Sequence, residues 1–419
     1  MVTTTVQREA DEVLRRLLTG PEGRREPYPL YHRLRQLAPV HRSDLDGMWY
    51  VSRYDTCREV LLDPRAGKAP LREADRPLRF GTNEEQVRRF VQRQRPSMLT
   101  SNPPDHTRLR APARGPFMPR AMERLRGRIE EIVDERLDVV AAKGEADMMA
   151  DVALELPVTV IGELVGVPPA DRREFPPLVH EFFAASQAGA TREEMDRAAR
   201  AGERFRQYFD GLIAQRRSSP GDDLIGHLVR AEAGDGDGRG LSEDELQGTI
   251  TLIFVAGFIT TANLIGNGLL ALFRQPQEMA RLWDDAELVP TAVEEMLRFD
   301  SPVQLIERRA LADLEVGGQA VRAGETVNLL LGAANRDPER FVDPDRLDVG
   351  RADGNGHVSF AWGIHHCLGA PLARLEGRVV FARLRERFSR LELLDPDPPR
   401  RPTTVLRSLA SLPVRFVSA

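Results

Sequence analysis

From Leu246 to Phe273 the chain carries no charged residue. Just before this stretch, Ser242-Glu-Asp-Glu245 has the spacing of a capping box, in which serine and glutamate satisfy each other's backbone N–H groups, so a helix starts here. A helix that is apolar all round is either a membrane span or the centre of a large core. This one holds Asn263, Asn267, Gly257, Gly266, Gly268 and four threonines, and no second stretch resembles it. The pattern therefore predicts a buried central helix. Leu368, Leu372, Leu375, Val379 and Ala382 step by four and three, which predicts another helix. Ala121 to Arg217 has helical spacing through most of its length. Gly47-Met-Trp-Tyr-Val-Ser52 reads as a strand. Asp313 to Leu331 alternates, with Gly317-Gly318 as a turn, and predicts a small sheet. Asp235-Gly-Asp-Gly-Arg-Gly240 reads as a flexible surface loop. No repeat or low-complexity linker divides the chain, so residues 1–419 are expected to form one mainly α domain with a minor β region.

Composition changes this picture little. The 419 residues carry a formal charge of −5, which gives no global case for nucleic acid or an anionic membrane. Cys57 and Cys367 are the two cysteines, too few for a disulfide framework, so a reducing cytoplasm is expected. Met1 to Leu18 has charges throughout and no apolar core, hence no signal peptide. One region stands out: Arg65 to Arg95 holds nine basic residues against four acidic ones.

The candidate chemistry lies in Phe360-Ala-Trp-Gly-Ile-His-His-Cys-Leu-Gly369. Cys367 stands between Gly363 and Gly369, just ahead of a predicted helix. Backbone N–H groups and the helix dipole favour a thiolate at such a place. By residue type alone, Cys367 reads as a buried structural thiol. A zinc site from His365, His366 and Cys367 is weaker, because adjacent side chains cannot all aim at one tetrahedral centre. An axial thiolate to haem iron is the third reading.

Here the chain resembles the cytochrome P450 family, in its soluble bacterial class. The family's signature, Phe-Gly-x-Gly-x-His-x-Cys-x-Gly, is matched at Phe360, Gly363, His365, Cys367 and Gly369. Ala361 departs from it; a methyl group there is tolerable if the backbone φ is not positive. The resemblance implies the P450 fold, with a long central helix over a haem and the cysteine loop beneath it. It implies haem b as cofactor and Cys367 as its axial ligand. Its E-x-x-R pair falls on Glu295 and Arg298, which share a helical face. Glu294 also sits one turn before Arg298, so periodicity alone does not choose between the two glutamates, and the family pattern selects Glu295. The resemblance adds Arg340, from Pro338-Glu-Arg-Phe341, as third member of a structural lock.

For the haem propionates the resemblance implies His106, Arg110, Arg308 and His365, with Phe360, Gly369 and Ala256 also at the cofactor. Pro112 makes the helix bearing His106 and Arg110 short or kinked. On the central helix, Gly257 is implied to open a groove for dioxygen, and Thr260 to deliver protons for O–O cleavage. An acid is usual beside that threonine; Ile259 stands there instead. Isoleucine carries no proton, so either water or another side chain takes over, or oxygen activation is atypical. Leu99, Phe182, Phe183, Phe258, Ile259 and Leu305 are the implied walls of a substrate pocket.

The resemblance implies a monomeric monooxygenase that hydroxylates or epoxidises an organic small molecule, commonly a polyketide or peptide of secondary metabolism. The substrate is free or tethered to a carrier protein. No dinucleotide fingerprint or flavin domain is visible, so electrons come from a separate ferredoxin and ferredoxin reductase. Two other readings remain: the same haem fold performing peroxide-driven oxidation, ring coupling or C–C cleavage, and a non-catalytic haem-binding recruitment module.

Overall fold

Most of the predicted apolar stripes become helices in the structure, a computed structural model that describes residues 5–68, 95–184, 190–232 and 240–418. In chain order these are α1 (Thr5–Thr19), α2 (Pro21–Arg25), α3 (Tyr28–Leu37), α4 (Tyr54–Leu62), α5 (Asp105–Ala113), α6 (Pro119–Lys143), α7 (Glu155–Val165), α8 (Phe175–Ala184), α9 (Arg192–Ser218), α10 (Leu224–Glu232), α11 (Glu243–Arg274), α12 (Pro276–Asp284), α13 (Val289–Phe299) and α14 (Ala370–Arg387). Most of the basic Arg65–Arg95 stretch and of the Asp235–Gly240 loop lies outside the described residues. The chain divides into two compact units, one of Met1–Ala66, Arg128–Leu156 and Thr260–Ala419, the other of Gly67–Gly127 and Pro157–Ile259.

The first unit holds the sheets. β1 (Val40–Arg42), β2 (Trp49–Val51), β3 (Ala66–Gly67), β5 (Leu305–Ala310) and β8 (Thr326–Leu330) form one sheet, in the order β1-β2-β8-β5-β3. β8 is central and wholly buried, as its run Thr-Val-Asn-Leu-Leu requires. β4 (Glu145–Asp147), β9 (Phe388–Leu393) and β10 (Pro413–Ser418) form a second sheet. β6 (Leu314–Val316) and β7 (Gln319–Val321) are the hairpin that Gly317-Gly318 predicted, and both glycines have positive φ. Trp49, Val51, Tyr54, Cys57, Leu61, Phe341 and Val358 form the core beneath this side. Cys57 is buried there and Cys367 is exposed.

α11 is long and apolar enough to cross a membrane, yet 72% of its most apolar window is buried inside the protein. Its polar residues explain themselves within the first unit. The Asn267 amide donates to the Arg407 carbonyl at 2.8 Å and accepts from Arg400 at 3.1 Å. Ser408 donates to Asn263 at 2.7 Å. Buried amides therefore fasten the C-terminal segment to the helix, in line with the rule that buried polar groups are paired.

In the second unit an aromatic cluster orders the helices. Phe175 of α8 stacks on Phe205 and Phe209 of α9, and Phe254 of α11 meets Phe175 and Phe209 edge-on, at 4.8 and 5.4 Å. The capping box is present as predicted: Ser242 N–H donates to Glu245 at 2.9 Å, and Glu245 N–H to Ser242 at 3.3 Å. Glu245 also accepts from Arg108, at 2.9 Å, which ties α5 to the start of α11. α5 is short, and Pro112 falls in its last turn.

Candidate active site

The cysteine loop is built by backbone closure. Cys367 N–H donates to the Phe360 carbonyl at 2.9 Å and His366 N–H to Gly363 at 3.1 Å. Gly363 has φ +73°, and a Cβ there would lie 2.5 Å from the Leu61 carbonyl oxygen, so both the turn and the packing demand glycine. Trp362 anchors the loop on the core, under the Arg58 guanidinium at 5.2 Å. Cys367 thus stands exposed just ahead of α14, whose N-cap is Gly369.

Ala361 does not meet the condition set for it. Its φ is +56°, in the left-handed region where a Cβ crowds the following carbonyl. Ala361→Gly is expected to raise stability by about 0.5–1 kcal/mol, the relief of that crowding less the larger entropy of an unfolded glycine. Thermal denaturation of the holoprotein checks this; an unchanged or lower midpoint would show that the loop stores no strain at 361.

The expected lock is present with one member replaced. Glu295 and Arg298 are fully buried on α13 and pair through two bonds, Nε–Oε2 at 2.7 Å and Nη2–Oε1 at 2.8 Å. Arg340 is not their partner: it donates to Asp353 at 2.8 Å and lies over the Phe341 and Tyr54 rings. Arg351 is the second arginine on Glu295, at 3.0 Å. Arg298 also donates to the Asn335 carbonyl at 2.8 Å, and the Asn335 side chain bonds Val358 N–H and Ser359 Oγ, both at 2.8 Å. The lock therefore reaches the cysteine loop through Asn335, which sequence reasoning missed. The other candidate, Glu294, pairs instead with Arg374 of α14 at 2.7 and 2.9 Å. The Arg374 guanidinium in turn lies 4.6 Å from the centre of the Phe360 ring.

The remaining expected site residues fall in both units. In the first, Arg308 is buried in β5, and its one described hydrogen bond goes to the Glu307 carbonyl at 3.1 Å. Burial pushes its guanidinium down to about 10, with Glu307 opposing. Thr260 is half-buried and His365 lies in the turn before Cys367. Leu305 lines a crevice with Leu17, Tyr31, Gln304 and Leu406, which contains none of the other expected site residues. In the second unit, His106 is buried on α5; burial and, after it, the Arg110 charge lower its pKa, and the two side chains, four residues apart, share a helical face as the spacing predicts. Ala256 is exposed and Gly257 half-buried on α11. A Cβ at Gly257 would lie 2.6 Å from Ile161 of α7, so this glycine first of all permits close helix packing. Phe258 is fully buried and extends the aromatic cluster through Phe254, at 5.8 Å. Ile259 is buried, Leu99 is 48% exposed, and Phe182 and Phe183 are half-buried and in edge contact.

These donors fit a haem chemically. The thiol is exposed at a helix start, where the thiolate is favoured. Arg308 is a cation that burial makes costly without an anion such as a propionate. A Cβ at Gly369 would meet no protein atom within 4 Å, so protein packing alone does not call for glycine there.

The family model described as cytochrome P450 matches residues 190–416. The chain is 39% identical to the polyketide biosynthesis cytochrome P450 PksS of Bacillus subtilis, over 94% of this chain and 97% of that protein. It is 40% identical to the cytochrome P450 monooxygenase PikC of Streptomyces venezuelae, over 95% and 92%. Among solved structures, P450BioI in complex with an acyl carrier protein superimposes with a TM-score of 0.85 at 34% identity, covering 94% of this chain and 99% of that one. The chain belongs to the cytochrome P450 family. It is accordingly a haem b monooxygenase with the P450 fold.

Proposed function

We propose that this monooxygenase hydroxylates or epoxidises an organic small molecule of secondary metabolism, of the polyketide class, in the cytoplasm. The observation that carries the reading is the exposed Cys367 just ahead of α14, in a chain that aligns with PksS and PikC over 94% and 95% of its length. Haem, when bound, supplies the iron at which dioxygen is activated. Cys367 would hold the iron through its thiolate. His106, Arg110, Arg308 and His365 would hold the propionates, and Phe360, Gly369 and Ala256 would pack against the rest of the group. Thr260 holds and passes protons. Glu295, Arg298 and Arg351 fix the cysteine side. Electrons come from a ferredoxin and its reductase. The acyl carrier protein bound to P450BioI makes a carrier-tethered substrate a natural alternative to a free one. The curated relatives PksS and PikC support this reading over atypical oxidation or a recruitment module.

The test has two arms. The reduced protein with carbon monoxide is expected to show the thiolate-type Soret band, and Cys367→Ser to lose it. Spectral titration with polyketide lactones, free and carrier-bound, then reads the substrate class. Loss of the thiolate band in the native protein would overturn the site. A response only to compounds outside that class would overturn the substrate.

A further inference from the structure

Building on the reading of Cys367 as axial ligand, we infer that His357 is a positioning residue for the thiolate. As a neutral ring it fastens the turn that enters the cysteine loop, and a proton on it unfastens that turn. Every group involved lies in the first unit.

The chain enters the loop through His357-Val358-Ser359-Phe360, which belongs to no helix or strand. Its backbone groups must therefore find partners outside secondary structure. Asn335 accepts from the Val358 N–H and donates to Ser359 Oγ, both at 2.8 Å. Ser359 Oγ donates in turn to the Leu297 carbonyl at 2.7 Å. The Ser359 N–H falls to His357, whose Nδ1 accepts it at 3.1 Å. Two further bonds carry this turn to the cysteine. The Val358 carbonyl accepts from Ala361 N–H at 2.8 Å, and the Phe360 carbonyl accepts from Cys367 N–H at 2.9 Å. The His357 and Phe360 rings also lie 5.6 Å apart. Ala361, at φ +56°, sits inside this chain of bonds. Such a conformation persists only where its surroundings over-determine it.

His357 is 4% exposed. Because Nδ1 accepts, the ring carries its single proton on Nε2. Nε2 lies 3.4 Å from Glu294 Oε2. The charged groups that face the ring are Glu294 and Arg298 of α13 and Arg374 of α14. Arg374 is held by Glu294 and Arg298 by Glu295, each at 2.7 Å. Burial is the largest influence on His357 and lowers its pKa; Glu294 opposes, and the two arginines add to the lowering. The ring is thus neutral at neutral pH, as an acceptor must be. A second proton from solvent would go to Nδ1 and set one N–H against another, so the Ser359 bond is lost. A depressed folded-state pKa makes this grip fully present above 6.5 and lost as pH falls through the lower folded value.

The first measurement is amide hydrogen exchange of the holoprotein, read on the peptide that contains Ser359. His357→Phe keeps a ring and removes the acceptor. Exchange at Ser359 is expected to quicken about ten- to a hundredfold, which is what leaving an N–H unpaired is worth. His357→Asn supplies an amide oxygen that accepts from the N–H two residues on, and it takes up no proton. Its protection should match the native protein. The second measurement follows the reduced carbon monoxide spectrum as the pH is lowered from neutral, with circular dichroism to show that the helices persist. The native thiolate band should convert to the thiol-type band in a step that takes up one proton. His357→Asn should lack that step, and His357→Phe should show part of the thiol-type band at neutral pH. Because the asparagine variant alters only the titration, it carries the test where phenylalanine disturbs folding. Unchanged exchange at Ser359 in His357→Phe, or acid conversion of His357→Asn at the native pH, would overturn the assignment. The exchange arm does not depend on the thiolate. A native protein without the thiolate band would therefore count against Cys367 as ligand, while exchange still decides the role of His357.

Discussion

Glu295→Gln is expected to destabilise the protein by about 3–5 kcal/mol, the cost of breaking a buried ion pair from one side. Glu295 accepts from Arg298 twice, from Arg351 and from the Asp348 N–H. Glutamine can accept at one oxygen only, and it leaves two buried guanidinium groups short of an anion. The damage should travel to the cysteine loop, because Arg298 holds the Asn335 carbonyl and Asn335 holds Val358 and Ser359. The variant should thus also lose the thiolate-type band with carbon monoxide. The two arginines separate the competing assignments. Arg351 is 9% exposed on a fully buried glutamate, whereas Arg340 and Asp353 are 33% and 46% exposed. Arg351→Ala should therefore cost about 2–3 kcal/mol and Arg340→Ala no more than about 1 kcal/mol. Denaturant titration of the three variants checks the order. Equal losses for Arg340→Ala and Arg351→Ala would return Arg340 to the lock.

The arginine shows why the sequence could carry some of the site and not the rest. Local signals were legible: the capping box at Ser242, the stripe from Leu368 to Ala382, the glycine turn at 317 and the cysteine loop all depend on residues within a few positions. Arg351 lies 56 residues from Glu295, and Arg340 sits in the same stretch with the same side chain. Only the path of the chain between α13 and the cysteine loop decides between them. Glu294 and Glu295 posed a similar choice, which depended on which helix face meets α14. Glycine at 257 was legible as a special position, but its contact, Ile161, lies on another helix. Glu376 was hidden for a different reason: it is 1% exposed within the apolar stripe of α14, and counting apolar residues passes over it. Phe258, two positions before Thr260, was legible as an aromatic on the central helix, but its packing partner, Phe254, was not.

The pair Glu294–Arg374 should give the protein's acid sensitivity and a second grip on the cysteine loop. Burial raises the Glu294 carboxyl, but His357 and Arg374 outweigh it and hold it at about 2, below an ordinary 4.5. A depressed folded-state pKa contributes stability that is fully present above 4.5 and lost as pH falls through about 2. That shift corresponds to about 2–3 kcal/mol once the part-exposed Arg374 is allowed for. Glu376 works with the opposite sign. Its raised pKa favours the folded state below 4.5, and the advantage drains away as pH rises through about 8. Glu294→Gln should thus flatten the acid limb and leave the alkaline limb intact, and Glu376→Gln the reverse. Arg374→Ala leaves Glu294 to His357, 3.4 Å away, and to Arg378 at 3.6 Å, and it removes the cation over the Phe360 ring. It should cost about 2–3 kcal/mol at neutral pH. Because Phe360 accepts the Cys367 N–H bond, the variant should also convert to the thiol-type carbonyl spectrum at a milder acid pH than the native protein. Stability measured from pH 2 to 9 for the three variants reads both limbs. An acid limb unchanged in Glu294→Gln would show that the ion pair between α13 and α14 does not set it.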